Sequence, residues 1–458
     1  MNKFQYDLII IGAGPGGYEA AFYAAEYGMK VAIIERELIG GTCLNRGCIP
    51  TKTLMHSSDV YREAANGAEF GIEVEGLRAD RERICKRKDE VQDKLREGIT
   101  GLLNKKKIDI LKGNATVLNG HEVRIGEGVL SSSNIIISTG SEPFIPPIRG
   151  ADLPGVIDST EMLEMGGAKI SDLVIIGGGV IGVEFATIYA DLQDKVTVIE
   201  GMDRLLPLID KEIGRSIKMT LEKKGASIYV NSPVKEIIQD GSKLKVCFTE
   251  KGKDKEVIAD KVLLSVGRKP VTAGLFSDDF IEENTALMDA KGFIQVDDNL
   301  TTICPTIFAI GDCIGGIQLA HVASAEGRNA VAIINGDKPA INMKTVPSCI
   351  YTDPEIAVVG MTAEEAKEAG IEVVTKKYPM SANGKTVIEG LSRGFVKLVA
   401  RKEDDVLIGA HLMCGRATDI IGELSIIIGN ELTLADVAHI IHPHPSFAEA
   451  IMEAARIR

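Results

Sequence analysis

A strand–glycine turn–helix–strand unit occurs twice in this chain, in the same internal register. In the first copy, Leu8-Ile9-Ile10-Ile11 is a short apolar run that reads as a buried parallel strand. Gly12-Ala13-Gly14-Pro15-Gly16-Gly17 follows, then a helical stretch to about Tyr27, then Val31-Ala32-Ile33-Ile34 ending in Glu35. In the second copy, Leu173-Val174-Ile175-Ile176 leads into Gly177-Gly178-Gly179, and a helix and strand end at Glu200. Each landmark is displaced by 165 positions: Gly12 to Gly177, Gly14 to Gly179, Gly17 to Gly182, Glu19 to Glu184, Glu35 to Glu200. The first glycine of such a unit allows a tight turn, the second lets backbone approach a pyrophosphate, and the third packs helix on strand. The helix N-terminus then faces the phosphates, and the closing carboxylate accepts hydrogen bonds from a ribose. A tight turn that binds nothing is the bland alternative for one copy. Two complete copies imply two dinucleotides, so one chain could hold a flavin and a nicotinamide and pass hydride between them. A carboxylate at Glu200 favours NAD, because it would repel the 2′-phosphate of NADP. Gly201-Met202-Asp203-Arg204 offers no compact basic cluster, although Arg204 is one nearby charge.

The 458 residues exceed a single core, so about two to four domains are expected. The net charge of −13 argues against nucleic acid or an anionic membrane as partner. No run of about 18 apolar residues appears, so no bilayer-spanning helix is expected. The N-terminus leads straight into a strand, without the pattern of a signal or transit segment. Eight cysteines in such a chain fit a reducing cytoplasm, where a disulfide serves catalysis rather than structure.

Two of those cysteines sit in Gly40-Gly41-Thr42-Cys43-Leu44-Asn45-Arg46-Gly47-Cys48-Ile49-Pro50-Thr51-Lys52. Cys43 and Cys48 are close enough for a disulfide across one strained turn. Closing so short a loop removes little chain entropy, on the order of 2 kcal/mol. Such a bridge, among glycines and near Lys52, suits opening and closing better than stapling. The alternatives are a pair of reduced structural cysteines or half a zinc site. Zinc wants a second ligand pair, which the sequence lacks, so no metal is expected.

Between the two units, Arg81 to about Lys107 is a charged helical stretch, expected on the surface with a solvated basic end at Lys105-Lys106-Lys107. Asn134 to Ser141 carries Thr139-Gly140 and resembles a return strand of a nucleotide-binding sheet, matched in the second half by Lys261 to Pro270 with Gly267. Tyr229 to Val266 reads as a meander with turns at Gly241 and Gly252. Ile307 to Cys313 is another apolar strand ending in Gly311-Asp312, where the carboxylate could hold a flavin ribityl hydroxyl or be an ordinary turn residue. The helix that begins around Ala320 could face its positive end to a reduced flavin. After Lys344, strands at 356–359, 395–399 and 408–411 suggest an antiparallel sheet. Ile420, Ile421, Leu424, Ile427 and Ile428 form a stripe that suits core packing or an interaction face. The chain closes with Ile441-His442-Pro443-His444-Pro445-Ser446-Phe447-Ala448-Glu449. His444 suits proton transfer and Glu449 could orient it. Ser446 and Glu449 also read as a capping box, and His442 reads as structural.

On the redox box, Gly177–Gly182 with Glu184, Gly311-Asp312, and His444 with Glu449, the chain resembles the flavin-dependent pyridine nucleotide–disulfide oxidoreductases over essentially its full length. Within them it looks most like the members that oxidise dihydrolipoyl groups. The resemblance implies an α/β fold of two Rossmann-like domains, for FAD and NAD, plus a C-terminal α+β dimerisation domain. It divides the chain into 1–145 (FAD-binding, with the redox pair), 146–270 (NAD-binding), 271–343 (completing the FAD domain) and 344–458 (interface). Tight, non-covalent FAD would lie against Gly12, Gly14, Gly17, Glu35, Lys52, Thr139, Gly140, Gly311, Asp312 and Ala320. NAD+ would lie against Gly177, Gly179, Gly182, Glu200 and Gly267. Cys43 would be the interchange thiol and Cys48 the charge-transfer thiolate beside the flavin. Lys52 and Glu184 would pair where hydride passes, and His444, oriented by Glu449, would be the acid–base from the other subunit of a homodimer. The implied partner is the lipoyl-bearing protein of a 2-oxo-acid dehydrogenase or glycine cleavage system. Arg46 departs from the small apolar residue more usual between the cysteines. Glutathione- or thioredoxin-like reductases, and a flavin-binding subunit without turnover, are the rival readings.

Overall fold

The computed structural model describes residues 3–165, 169–391 and 393–457. They fall into two compact units. The first comprises Met1–Thr53, Cys85–Phe144 and Gly267–Met343. Its parallel sheet has the order Asp109–Lys112, Val31–Glu35, Tyr6–Ile11, Gly128–Ile137, with Ile307–Ala309 pairing on the far side of the last. Ile9 and Ile11 point into one core with Val117, Phe276 and Ile307. Leu8 and Ile10 point into another with Ala20, Ala24 and Leu103. Both faces are covered, which is why these strands read as unbroken apolar runs. Gly128–Ile137 changes partners along its length, since its first residues pair antiparallel with Glu122–Ile125. The helix Pro15–Glu26 crosses the helix Ala320–Ile334 so closely that a Cβ at Gly327 would meet the Gly16 carbonyl oxygen at 2.6 Å.

The second unit comprises Leu54–Ile84, Ile145–Val266 and Lys344–Arg458. It repeats the first topology, with strand order Ser227–Tyr229, Lys195–Ile199, Asp172–Ile176, Lys261–Leu264, Val156–Ile157, all parallel. The meander is Val234–Asp240, Lys243–Glu250 and Lys253–Ala259, turning at Gly241 and Gly252 with φ of 61° and 76°. The same unit contains a five-stranded antiparallel sheet ordered Ser348–Ile350, Glu355–Gly360, Leu407–Cys414, Phe395–Arg401, Val373–Pro379. Ile421, Leu424 and Ile427 of the helix Ala417–Gly429 are buried against that sheet, with Ile420 and Ile428 partly buried beside them. Core packing therefore accounts for the stripe.

Leu54–Ile84 lies inside the range 1–145 yet clusters with the second unit. Leu54 and Met55 join a core with Phe185 and Phe395. Arg62 bonds Asp59 at 2.7 Å and Asp191 at 2.8 Å, and lies 3.3 Å from Asp353. One guanidinium with several donors joins its helix neighbour Asp59 to two distant carboxylates, Asp191 and Asp353, a linkage that no local pattern encodes. The helix Arg81–Lys105 lies on the surface as expected, with Lys105 exposed at its end, but it sends a few side chains inward. Lys88, Gln92 and Leu103 are buried, and Lys106 beyond its end bonds Glu26 at 2.9 Å.

Candidate active site

Cys43 rides on the short helix Gly41–Arg46, and Cys48 begins the long helix Cys48–Ala65. The strained turn expected between them is instead a helix–Gly47–helix junction, where a Cβ on Gly47 would meet the Thr42 carbonyl oxygen at 3.1 Å. Both cysteines are present as thiols. The Cys43 thiol is pushed up first by its hydrogen bond with Cys48 and then by burial, while the Lys52 ammonium draws it down. Cys48 stands at a helix N-terminus, where the backbone dipole favours a thiolate. The Tyr18 phenol, close enough to feel both sulfurs, is pushed up to about 12, chiefly by burial. Arg46 is bonded to Glu37, so its charge is paired at the far end of the Cys43 helix.

The glycines before Cys43 have a mechanical reason. Gly40 and Gly41 adopt φ of 99° and 57°. Gly40 donates to the Ala13 carbonyl at 2.8 Å, and a Cβ on Gly41 would meet Gly14 Cα at 2.6 Å. The redox helix thus starts against the first glycine turn. That turn is closed by Glu35, whose Oε2 accepts from Ala13 N and Oε1 from Glu37 N, both at 2.8 Å. Glu200 does the same in the second copy, accepting from Gly178 N at 2.5 Å and Met202 N at 2.6 Å. A Cβ at Gly17 would meet the Gly12 oxygen at 1.9 Å, and one at Gly182 the Gly177 oxygen at 2.0 Å. At the middle glycines the situation reverses. A Cβ on Gly179 would meet nothing within 4 Å, and one on Gly14 only Gly41 Cα at 3.9 Å. Both turns leave open the space a pyrophosphate needs, beside a helix N-terminus, so they fit two dinucleotides. Arg204, beyond Glu200, reaches the Pro207 carbonyl at 3.1 Å and Asp203 at 3.3 Å.

Asp312 lies in the single turn Gly311–Ile314 after the strand Ile307–Ala309. Its Oδ2 accepts from Ser141 Oγ at 2.5 Å, and Arg268 Nε donates to the same hydroxyl at 2.6 Å. Glu326 accepts from Gly311 N at 2.6 Å. The sequence reading missed Ser141, Arg268 and Glu326. Ser141 and Arg268 each follow a strand-ending glycine, Gly140 and Gly267, and that parallel was the available signal. Thr139 precedes Gly140 on the same loop, and Ala320 opens the helix Ala320–Ile334.

In the second unit, Glu184 is buried on the helix Val180–Asp191 and accepts from Tyr351 N at 3.0 Å. His444 presents its ring to solvent, 79% exposed, with Nδ1 2.8 Å from Glu449 Oε1. The other oxygen, Oε2, accepts from Ser446 N at 2.8 Å, and Ser446 Oγ accepts from Glu449 N at 3.3 Å. Glu449 therefore bonds His444 and Ser446 through different oxygens. Glu449 is held below the usual carboxylate range, first by the Ser446 N–H and also by His444. His442 is buried against Glu423 at 2.8 Å, in keeping with a structural role.

Among the described residues no helix is long and apolar enough to cross a membrane, and no three His, Cys, Asp or Glu side chains are grouped to hold a metal. The chain is 39% identical to dihydrolipoyl dehydrogenase of Geobacillus stearothermophilus, over 99% of this chain and 96% of that one. It is likewise 39% identical to dihydrolipoyl dehydrogenase of Bacillus subtilis, over 98% and 97%. Among solved structures it is similar to the HOCl-induced flavoprotein disulfide reductase RclA of Escherichia coli in a Cu(II) complex. That similarity has TM-score 0.87 and 31% identity, over 99% of both chains. LpdA of Mycobacterium tuberculosis aligns with TM-score 0.89 and 25% identity, over 98% of this chain and 99% of that one. Residues 346–455 match the dimerisation domain of the pyridine nucleotide-disulphide oxidoreductases. Residues 6–327 match the pyridine nucleotide-disulphide oxidoreductase family itself, and with paired thiols beside a dinucleotide turn the chain belongs to that family.

Proposed function

We propose that this oxidoreductase oxidises protein-bound dihydrolipoyl groups to the lipoyl disulfide, with Cys43 and Cys48 as the first electron acceptor and NAD+ as the last. FAD and NAD are its cofactors. The observation that carries the reading is the Cys43–Cys48 thiol pair, hydrogen-bonded at a helix N-terminus and biased by Lys52. The identity to dihydrolipoyl dehydrogenases supports a dihydrolipoyl substrate. Residues 1–145 and 271–343 are read as the FAD portion, 146–270 as the NAD portion and 344–458 as the homodimer interface. The enzyme is placed in the cytoplasm, where a dithiol pair stays reducible.

In this scheme His444, oriented by Glu449 and acting on the other subunit, takes a proton from a dihydrolipoyl thiol. The substrate thiolate attacks Cys43, the Cys43–Cys48 bond breaks, and Cys48 leaves as the thiolate. The second substrate sulfur then displaces Cys43, closing the lipoyl disulfide and leaving two electrons on the protein pair. Bound FAD supplies a two-electron relay from that pair to NAD+. Gly12, Gly14, Gly17, Glu35, Thr139, Gly140, Gly311, Asp312 and Ala320 are assigned to holding it, and Lys52 with Glu184 to the ring side. Gly177, Gly179, Gly182, Glu200 and Gly267 are assigned to NAD+. The likeness to a flavoprotein disulfide reductase supports a second reading, reduction of a different disulfide. Steady-state rates of wild type and Cys43→Ser with lipoamide, glutathione and thioredoxin, each with NADH and NADPH, separate the two. Lipoamide with NADH should be fastest by far, and Cys43→Ser inactive. A higher kcat/KM for glutathione or thioredoxin would move the assignment to the second reading.

A further inference from the structure

The helix that carries Cys43 has no cap of its own. It is six residues long, and glycines stand at both ends, Gly40 and Gly47. Its terminal carbonyls would be left without donors. They are served instead from the distant helix Arg81–Lys105. Gln92 Nε2 donates to the Asn45 carbonyl at 2.7 Å and to the Leu44 carbonyl at 3.4 Å. One turn further on, Arg96 Nε donates to Asn45 Oδ1 at 3.1 Å. Asn45 Nδ2 in turn donates to the Gly41 carbonyl at 2.8 Å and the Ile39 carbonyl at 3.1 Å, reaching the start of the same helix. Gln92 is 6% exposed, an amide withdrawn from water on a helix that is otherwise strongly charged. Arg96 is itself fixed by Asp93 at 3.0 Å.

We infer that Gln92 and Arg96 are positioning residues for Cys43, and that through it they set the equilibrium between the Cys43–Cys48 dithiol and its disulfide. The inference rests on the redox role proposed for that pair. In the disulfide the S–S bond itself holds Cys43 near Cys48. In the dithiol the helix, its clamp and a single thiol–thiol hydrogen bond do so. Forming the disulfide releases two electrons and two protons to an external acceptor, here the oxidised form of a redox buffer. The closer Cys43 is kept to Cys48 beforehand, the less freedom that closure removes. Loosening the clamp frees the dithiol and shifts the pair toward reduction.

The test uses the flavin-loaded full-length enzyme, equilibrated in oxidised and reduced dithiothreitol mixtures and quenched by alkylation. Mass spectrometry then reads the Cys43–Cys48 disulfide fraction. Gln92→Met keeps the bulk and removes both donors. It should lower the disulfide/dithiol equilibrium constant about tenfold, an upward shift of ~30 mV for this two-electron couple. Arg96→Lys, which keeps a donor for Asn45, should stay near wild type, and Arg96→Met should shift in the same direction as Gln92→Met. The arginine pair keeps the inference testable should Gln92→Met fail to fold. Wild-type equilibria in Gln92→Met and Arg96→Met, with the wild-type disulfide present, would overturn this inference alone. A wild type that forms no Cys43–Cys48 disulfide at any ratio would remove the redox reading, and this inference with it.

Discussion

Glu449 shows how one side chain meets two demands. One oxygen holds His444 and the other caps the last helix at Ser446. Glu449→Gln retains an acceptor for Ser446 N but loses the charge that steadies a protonated imidazole. A catalytic base steadied in this way should lose roughly 100-fold in kcat without it. A wild-type kcat in Glu449→Gln would show that Glu449 only caps. The carboxylate's depressed pKa carries a stability consequence of its own. Its contribution is present above an unfolded value of about 4.3 and is lost as pH falls through the lower folded value. At this scale much was legible: the cysteines, Lys52, His444 and Glu449 stood in local motifs. Gln92, Ser141 and Arg268 did not, because each acts on a residue dozens of positions away.

The duplicated unit predicts paired defects at the level of elements. A Cβ at Gly17 or Gly182 would enter a carbonyl oxygen at 1.9 or 2.0 Å, far inside contact distance. Gly17→Ala should yield protein without flavin, seen as loss of the visible absorbance. Gly182→Ala should keep its flavin and weaken NADH binding by roughly tenfold or more in direct titration, from loss of a shaped turn. Flavin loss in Gly182→Ala with retention in Gly17→Ala would reverse the two domain assignments. The strand Leu407–Cys414 carries a different sensitivity. His411 is buried, with Nε2 on the Met361 carbonyl at 3.0 Å and Nδ1 lacking a partner among the described residues. Lys397 lies opposite it across the strands and pairs with Asp210 and Glu212, while Glu365 also acts on the ring. Burial pushes the imidazole pKa down, so the folded chain keeps it neutral where the unfolded chain protonates it, below about 6.5. Stability from this residue is full above that pH and lost as pH falls below it. The drop in Tm from pH 7 to 5.5 should be smaller in His411→Gln than in wild type. An equal drop would show that other groups carry the acid sensitivity. Strand positions and glycine turns were legible because local period and spacing dictate them. The joining of 54–84 to the second unit was not, because it depends on Arg62 meeting Asp191 and Asp353 from remote segments.

For the whole molecule, the decisive question is which chain supplies His444. Cys43 and His444 belong to different compact units and lie about 400 positions apart in sequence. Residues 346–455, which include His444, match a dimerisation domain. Ile441, three positions before His444, is 95% exposed in the single chain, and Ile440 44%, an apolar pair that a partner surface would cover. A proton acceptor must come within about 3 Å of the group it serves, or act through one water. A shared site and a site within one chain therefore make opposite predictions for mixed dimers. Cys43→Ser and His444→Ala homodimers should each be inactive. In a shared arrangement, a heterodimer of the two has one site carrying both lesions and one carrying neither. Activity should return to roughly half of wild type per heterodimer, by site counting alone. If each chain completes its own site, both sites of the heterodimer carry one lesion and nothing returns. Heterodimer formation is read independently by differently tagged subunits and native mass spectrometry. Heterodimers present without recovered activity would place His444 and Cys43 of one site on one chain.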